Sequence, residues 1–119
     1  MANEITLEAH FSVNKNSTIR RVDFEATQAT QTGNITLDYE QSIGTSAEAL
    51  NVGEIGTAGW LFILNKDTTN FVSLRIGSGG SNFGKMKPGE FAWFRLAANN
   101  PFVIADTAAC RCRVMIAED

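Results

Sequence analysis

The chain has 119 residues, 44% of them hydrophobic and 19% charged, with a formal net charge of −3. This is one domain's worth of globular sequence, long enough to bury a core without metal or disulfide staples and too apolar for disorder. The acidic balance argues against a nucleic-acid grip built on clustered Lys and Arg, and the longest apolar run, Trp60 to Leu64, is too short for a membrane-spanning helix.

The opening residues, MANEITLEAHF, are acidic and alternating, so no signal peptide is expected and synthesis in a cytoplasm is. Ile5, Leu7, Ala9, Phe11 and Val13 share one parity, while Thr6, Glu8, His10 and Ser12 share the other. That alternation predicts a half-buried strand with its apolar side chains inward. The pattern returns in RRVDFEAT, with Val22, Phe24 and Ala26 inward, and in NITLDYE, with Ile35, Leu37 and Tyr39 inward. Between these two, the polar TQATQTG (27–33) predicts an exposed hairpin tip.

Residues 44–59 hold four glycines and read as a connection across an edge or end of the fold, with one short strand over Ala47–Val52. WLFILN (60–65) and NFVSLRIG (70–77) read as strands joined by KDTT, and GSGGSN (77–82) as a glycine-rich tip. In KPGE, Pro88 presets one backbone angle and Gly89 accepts the positive φ of a type II turn. EFAWFRLA then predicts a strand, AANNP (97–101) a turn, and FVIADT and ACRCRVMIAED the closing strands. Nine to ten short antiparallel strands, without heptads or a fixed-period repeat, predict an all-β fold. The expected architecture is a single domain over residues 1–119, a β-sandwich or jelly-roll-like barrel.

Few residues invite chemistry. Cys110 and Cys112 fall on one side of a strand, about 6.6–6.8 Å apart along the chain, which does not suit a mutual disulfide. They continue a stripe with Val114 and Ile116, while Arg111 and Arg113 face the other way, so buried structural thiols are expected. Zinc needs about four ligands, and His10 is the one further good candidate. His10 itself falls on the polar parity of the first strand, and no Gly-x-Ser-x-Gly elbow or paired carboxylates accompany it. GSGG and GTAG lack the Lys-Ser/Thr and helix of a phosphate loop. NKDTTN could offer a cation oxygens from Asn65, Asp67, Thr68 and Asn70, but the same residues are what a tight turn selects. No enzyme, cofactor or metal is expected.

The aromatic residues are more informative. Phe91, Trp93 and Arg95 share one parity, and Ala92, Phe94 and Leu96 the other, so this strand is bulky on both faces. Trp60 and Phe62 stand opposite Leu61 and Ile63 in the same way. Three partners could cover the surplus face: the 44–59 connection, another subunit, or a sugar stacked on Trp60 or Trp93.

GWLFILNKDTTNFVSLRIG, MKPGEFAWFRLA and ADTAACRCRVMIAED, within residues 59–119, resemble a family of small virion proteins of tailed bacteriophages. The resemblance implies a β-sandwich or jelly-roll unit that decorates or cements the head, bridging subunits of the major capsid protein at the capsid surface. It carries over no catalytic residue. Self-association, as a homotrimer, is expected, without nucleic acid or membrane as partner. The interface residues expected are Phe91, Trp93, Arg95 and Trp60, with Arg111 and Arg113 as charged rim contacts. A neck or tail component is the nearest alternative, and a carbohydrate-binding module using Trp60 or Trp93 is the rival of another class.

Overall fold

The computed structural model describes residues 2–97 and 101–119, without the side chains of Ala26 and Thr27. The inward position expected for Ala26 and most of the turn expected at 97–101 lie outside the described residues. Every regular element described is a strand. They are β1 (Ile5–Lys15), β2 (Thr18–Ala29), β3 (Thr36–Ile43), β4 (Glu48–Ala49), β5 (Ala58–Asn65), β6 (Val72–Ile76), β7 (Asn82–Met86), β8 (Phe91–Arg95), β9 (Pro101–Ala105) and β10 (Cys110–Glu118). The chain divides into two compact units, Met1–Thr32 and Gly33–Asp119.

The second unit is the sandwich. One sheet has the order β3-β10-β5-β8 and the other β4-β9-β6-β7, with every pairing antiparallel. β3 pairs with β10, β4 with β9, β5 with β8 and β6 with β7, so the chain runs as nested pairs that close on the central β6–β7 hairpin. Side chains from both sheets meet in a single core. Leu61, Ile63, Cys110, Cys112, Val114 and Ile116 come from one sheet, and Val72, Leu74, Met86 and Val103 from the other. The parity expected of β10 holds in full, because Cys110, Cys112, Val114 and Ile116 are each 0% exposed. Burial pushes the Cys112 thiol up to about 12 and raises that of Cys110, so both stay protonated and inert.

Two turns hold the β5 end of the sandwich, and both depend on Asn65, which is fully buried. Its Nδ2 donates to the carbonyls of Asn70 and Met86, both at 3.0 Å, and its Oδ1 accepts from the Asp67 N–H at 3.0 Å. Its backbone receives the Gly89 N–H at 2.9 Å. Gly89 has φ +80 and the Glu90 N–H closes on the Lys87 carbonyl at 2.9 Å, the type II turn expected at KPGE.

Residues 44–57 pack on the inner side of β3. Leu50 and Ile55 enter the core, Gln41 Nε2 donates to Glu48 at 3.0 Å and to the Ala49 carbonyl at 3.2 Å, and Tyr39 donates to the Asn51 carbonyl. The strand expected over Ala47–Val52 shrinks to Glu48–Ala49, because beyond it the backbone turns to carry Leu50 inward.

The first unit is a ribbon of two long strands, β1 and β2. Asn16 and Ser17, at φ 53 and 63, form its two-residue loop, closed by the Lys15–Thr18 pair. Both φ values are positive, as a type I′ hairpin requires. The hairpin tip therefore lies at 16–17. Residues 27–29 belong to β2, so TQATQTG is the end of that strand and the passage into the second unit. The inward placement expected for the apolar parity of β1 and β2 is also corrected. Phe11, Val13, Val22 and Phe24 are 69, 47, 64 and 46% exposed, because a two-stranded ribbon has no second layer of its own.

Candidate functional site

The outer face of the β3-β10-β5-β8 sheet gathers the residues that sequence singled out. Register fixes their neighbours: Leu64 lies between Arg113 and Phe91, Phe62 between Met115 and Trp93, and Trp60 opposite Arg95. Directly opposed residues share a face, so Trp60, Phe62, Leu64, Phe91, Trp93 and Met115 form one apolar patch. Phe91 is 58% and Met115 39% exposed, while the two indoles and Phe62 are half-buried by one another.

Ring geometry organises the patch. Trp60 and Trp93 lie 6.0 Å apart at 41°, and Phe62 stacks on Phe91 at 5.5 Å and 25°. The Arg95 guanidinium sits 5.3 Å from the Trp60 ring and donates to Asp119 at 2.7 Å. Such aromatic pairs stabilise by about 0.5–1.5 kcal/mol beyond area burial, so the patch is preorganised rather than loose. Trp60 Nε1 is shielded and finds no acceptor among the described residues.

Beside the aromatics, β3 and β10 carry an ordered lattice of charge. Arg113 grips Asp38 with two bonds, at 3.1 and 2.8 Å, and holds its carboxyl below the usual range. Glu40 accepts from Lys66 and from Arg111 at 3.2 Å, and its carboxyl is lowered, first by Lys66. One half of the face is thus apolar and the other half paired charge. Phe91, Trp93, Arg95, Trp60, Arg111 and Arg113 all lie on it. Sequence reasoning missed Leu64 and Met115 as members, although both continue the outward parity of their strands. The 44–59 connection, considered as a cover for this face, makes its bonds to the inner-facing Tyr39 and Gln41 instead.

The remaining candidates are occupied locally. Asp67 Oδ2 accepts from the Thr69 and Asn70 N–H groups at 2.9 and 2.6 Å, which lowers its carboxyl, first through Asn70. With Asn65 Oδ1 accepting from the Asp67 N–H, and the Asn70 carbonyl from Asn65 Nδ2, these oxygens of NKDTTN serve the turn. No cluster of three or more His, Cys, Asp or Glu side chains suited to a metal occurs among the described residues. His10 is exposed on the ribbon and contacts Asp23, which also accepts from Arg21 at 2.6 Å.

The ribbon has a face of its own. Paired residues place Ala9 with Phe24, Phe11 with Val22 and Val13 with Arg20 on one side. His10 with Asp23 and Ser12 with Arg21 occupy the other. The first side is an exposed apolar strip that alternation located but assigned to the core. No known protein family, curated protein or solved structure matches the chain.

Proposed function

We propose that this chain is a non-enzymatic structural protein of a tailed-phage virion, a head decoration or cement subunit. It self-associates and docks on the major capsid protein, adding buried surface across capsid-subunit boundaries. The observation that carries this reading is the aromatic outer face of Trp60, Phe62, Phe91 and Trp93, with Arg95 beside it. A rigid aromatic centre with an Arg and a polar rim is the composition of a protein interface. The nested strand pairs support reading the sandwich as an eight-stranded jelly roll, an architecture used by capsid and lectin domains. The sequence resemblance over 59–119 supports the virion setting.

Copy number tests the role. Quantitative mass spectrometry of purified particles is expected to give a ratio comparable to the major capsid protein. A handful of copies per particle moves the chain to the neck or tail, and absence from the particle ends the virion reading. A glycan-binding module would use the same rings. Against it, Trp60 and Trp93 are half-buried and inclined at 41°, so neither offers a free flat platform. Glycan-array binding that vanishes with Trp93→Ala would reverse that preference.

A further inference from the structure

We propose that the apolar strip of the N-terminal ribbon of one copy docks on the aromatic sheet face of a second copy, so that copies join head to tail into a closed ring. The contact deepens the assembly reading. It rests on that reading for the purpose of the ring, while the surfaces themselves supply the contact.

A lone two-stranded hairpin is marginal in water, and this one presents Phe11, Val13, Val22 and Phe24 together to solvent. A strip of that kind is a docking surface rather than scattered exposure.

At about 200 Å² for a whole Phe side chain, Phe11 and Phe24 expose roughly 230 Å², and the valines bring the strip to the order of 400 Å². The sheet patch, led by Phe91 and Met115, exposes an area of the same order. A stable association needs about 800 Å² from each partner. Two ribbons packed face to face would bury only half of that and would leave the sheet patch wet. In a ring, each copy gives one ribbon and receives another, so each contact stays at about 400 Å² from each partner, but every copy buries both of its surfaces, twice what a ribbon pair would cover. Contact between unlike surfaces is heterologous, and heterologous contacts form a ring where the rotation between copies closes and an open filament where it does not.

β1 has eleven residues, about 35 Å of strand, and four strands are about 15–19 Å wide, so the ribbon can cross a whole sheet. Arg20 and Lys15 are the charged side chains on this side of the ribbon, and the Arg20 guanidinium bonds to the Ile19 carbonyl at 3.1 Å. The receiving face offers Arg20 the exposed ring of Phe91, while Asp38 and Glu40 at the β3 edge are already held by Arg113, Lys66 and Arg111.

The test is sedimentation velocity on the full chain and two double variants. Phe11→Thr with Phe24→Thr removes the strip but keeps strand propensity, and Phe91→Thr with Met115→Thr removes exposed parts of the sheet patch. Thermal melts confirm that each variant folds. The wild type is expected to sediment as an oligomer and each variant alone as a monomer. An equimolar mixture of the two should recover a dimer, because one variant retains an intact ribbon and the other an intact sheet face. A monomeric wild type, an oligomer that survives either pair of changes, or a mixture that stays monomeric overturns the proposal. Loss of association in the ribbon variant alone would mean that ribbons pair with each other, which also overturns it. Particle copy number is read independently, so failure of the ring and failure of the virion reading remain separable.

Discussion

The indoles of Trp60 and Trp93 meet across β5 and β8 with centroids 6.0 Å apart, on the side of the sheet away from the core. Immediately behind Trp93, Phe94 points the other way and meets Phe83 of the opposite sheet edge-on at 6.3 Å and 77°. Neighbours in sequence therefore have different energetic roles. Phe94→Ala, which opens a cavity against the core, is expected to cost about 3 kcal/mol. Phe91→Ala, at a position 58% exposed, should cost less than about 1 kcal/mol. Trp93→Ala falls between, at about 1–2 kcal/mol, while weakening association more than it weakens the fold. Urea titration of the three variants checks the order. Equal losses at Phe91 and Phe94 would place both faces in the core.

Asn65 offers a second test, because one buried amide serves two turns. Asn65→Leu keeps the branching and heavy-atom count of the side chain but strands the carbonyls of Asn70 and Met86 and the N–H of Asp67. Leaving buried polar groups unpaired should cost about 3 kcal/mol in urea unfolding. The same bonding predicts that Ca²⁺ leaves the melting temperature unchanged, since the Asn65 and Asp67 oxygens already serve backbone N–H groups. A rise in melting temperature with Ca²⁺ would restore NKDTTN as a cation loop.

Much of the sandwich was legible in the sequence, for a definable reason. Alternation states which residues share a face, and in β10 that was enough to bury Cys110 and Cys112 and turn Arg111 and Arg113 outward. Local chemistry likewise identified the Gly89 turn, since a positive φ at that position needs glycine. Alternation does not state whether a second layer exists. Phe11 and Val114 belong to equally regular stripes, yet one is exposed and the other buried. Long-range hydrogen bonds were equally out of reach. Nothing near Gln41 in the sequence announces that it will fasten the chain at 48–51 against the inner side of β3.

The ribbon loop yields a prediction confined to the first unit. Ser17 sits at φ 63, where an L side chain is strained and glycine is not. Ser17→Gly should stabilise the hairpin by about 1 kcal/mol, despite the greater freedom glycine gives the unfolded chain. Amide exchange at paired positions such as Phe11, Val13 and Val22 should slow by a few-fold, with the sandwich amides unchanged. Faster exchange would mean that the loop does not hold the I′ geometry.

Glu118 closes the sandwich at its last strand and makes its stability depend on pH. Its Oε1 accepts from the N–H groups of Asn34 and Ile35 at 2.9 and 3.2 Å, and its Oε2 from that of Gly56 at 2.9 Å. One carboxylate thus ties the start of β3 and the end of the 44–57 connection to β10. It lies so close over Gly33 that an added Cβ would meet its side chain. These bonds, first that of Gly56, lower its carboxyl from the usual 4.5. A group whose pKa is lower in the folded state binds its proton more readily when unfolded. Its contribution is therefore complete above the unfolded value and lost as pH falls through the folded one. Asp38, Glu40 and Asp67 are lowered as well, so their contributions have the same sign. The urea midpoint should be flat above about pH 5 and fall below it. Glu118→Gln presents an NH₂ group where one of the acceptors must be, so it should lower the midpoint at pH 7. Below the carboxylate range the wild type has lost the same charge, and the gap between the two proteins should narrow. A gap that stays constant with pH would show that Glu118 acts through its shape and not through its charge.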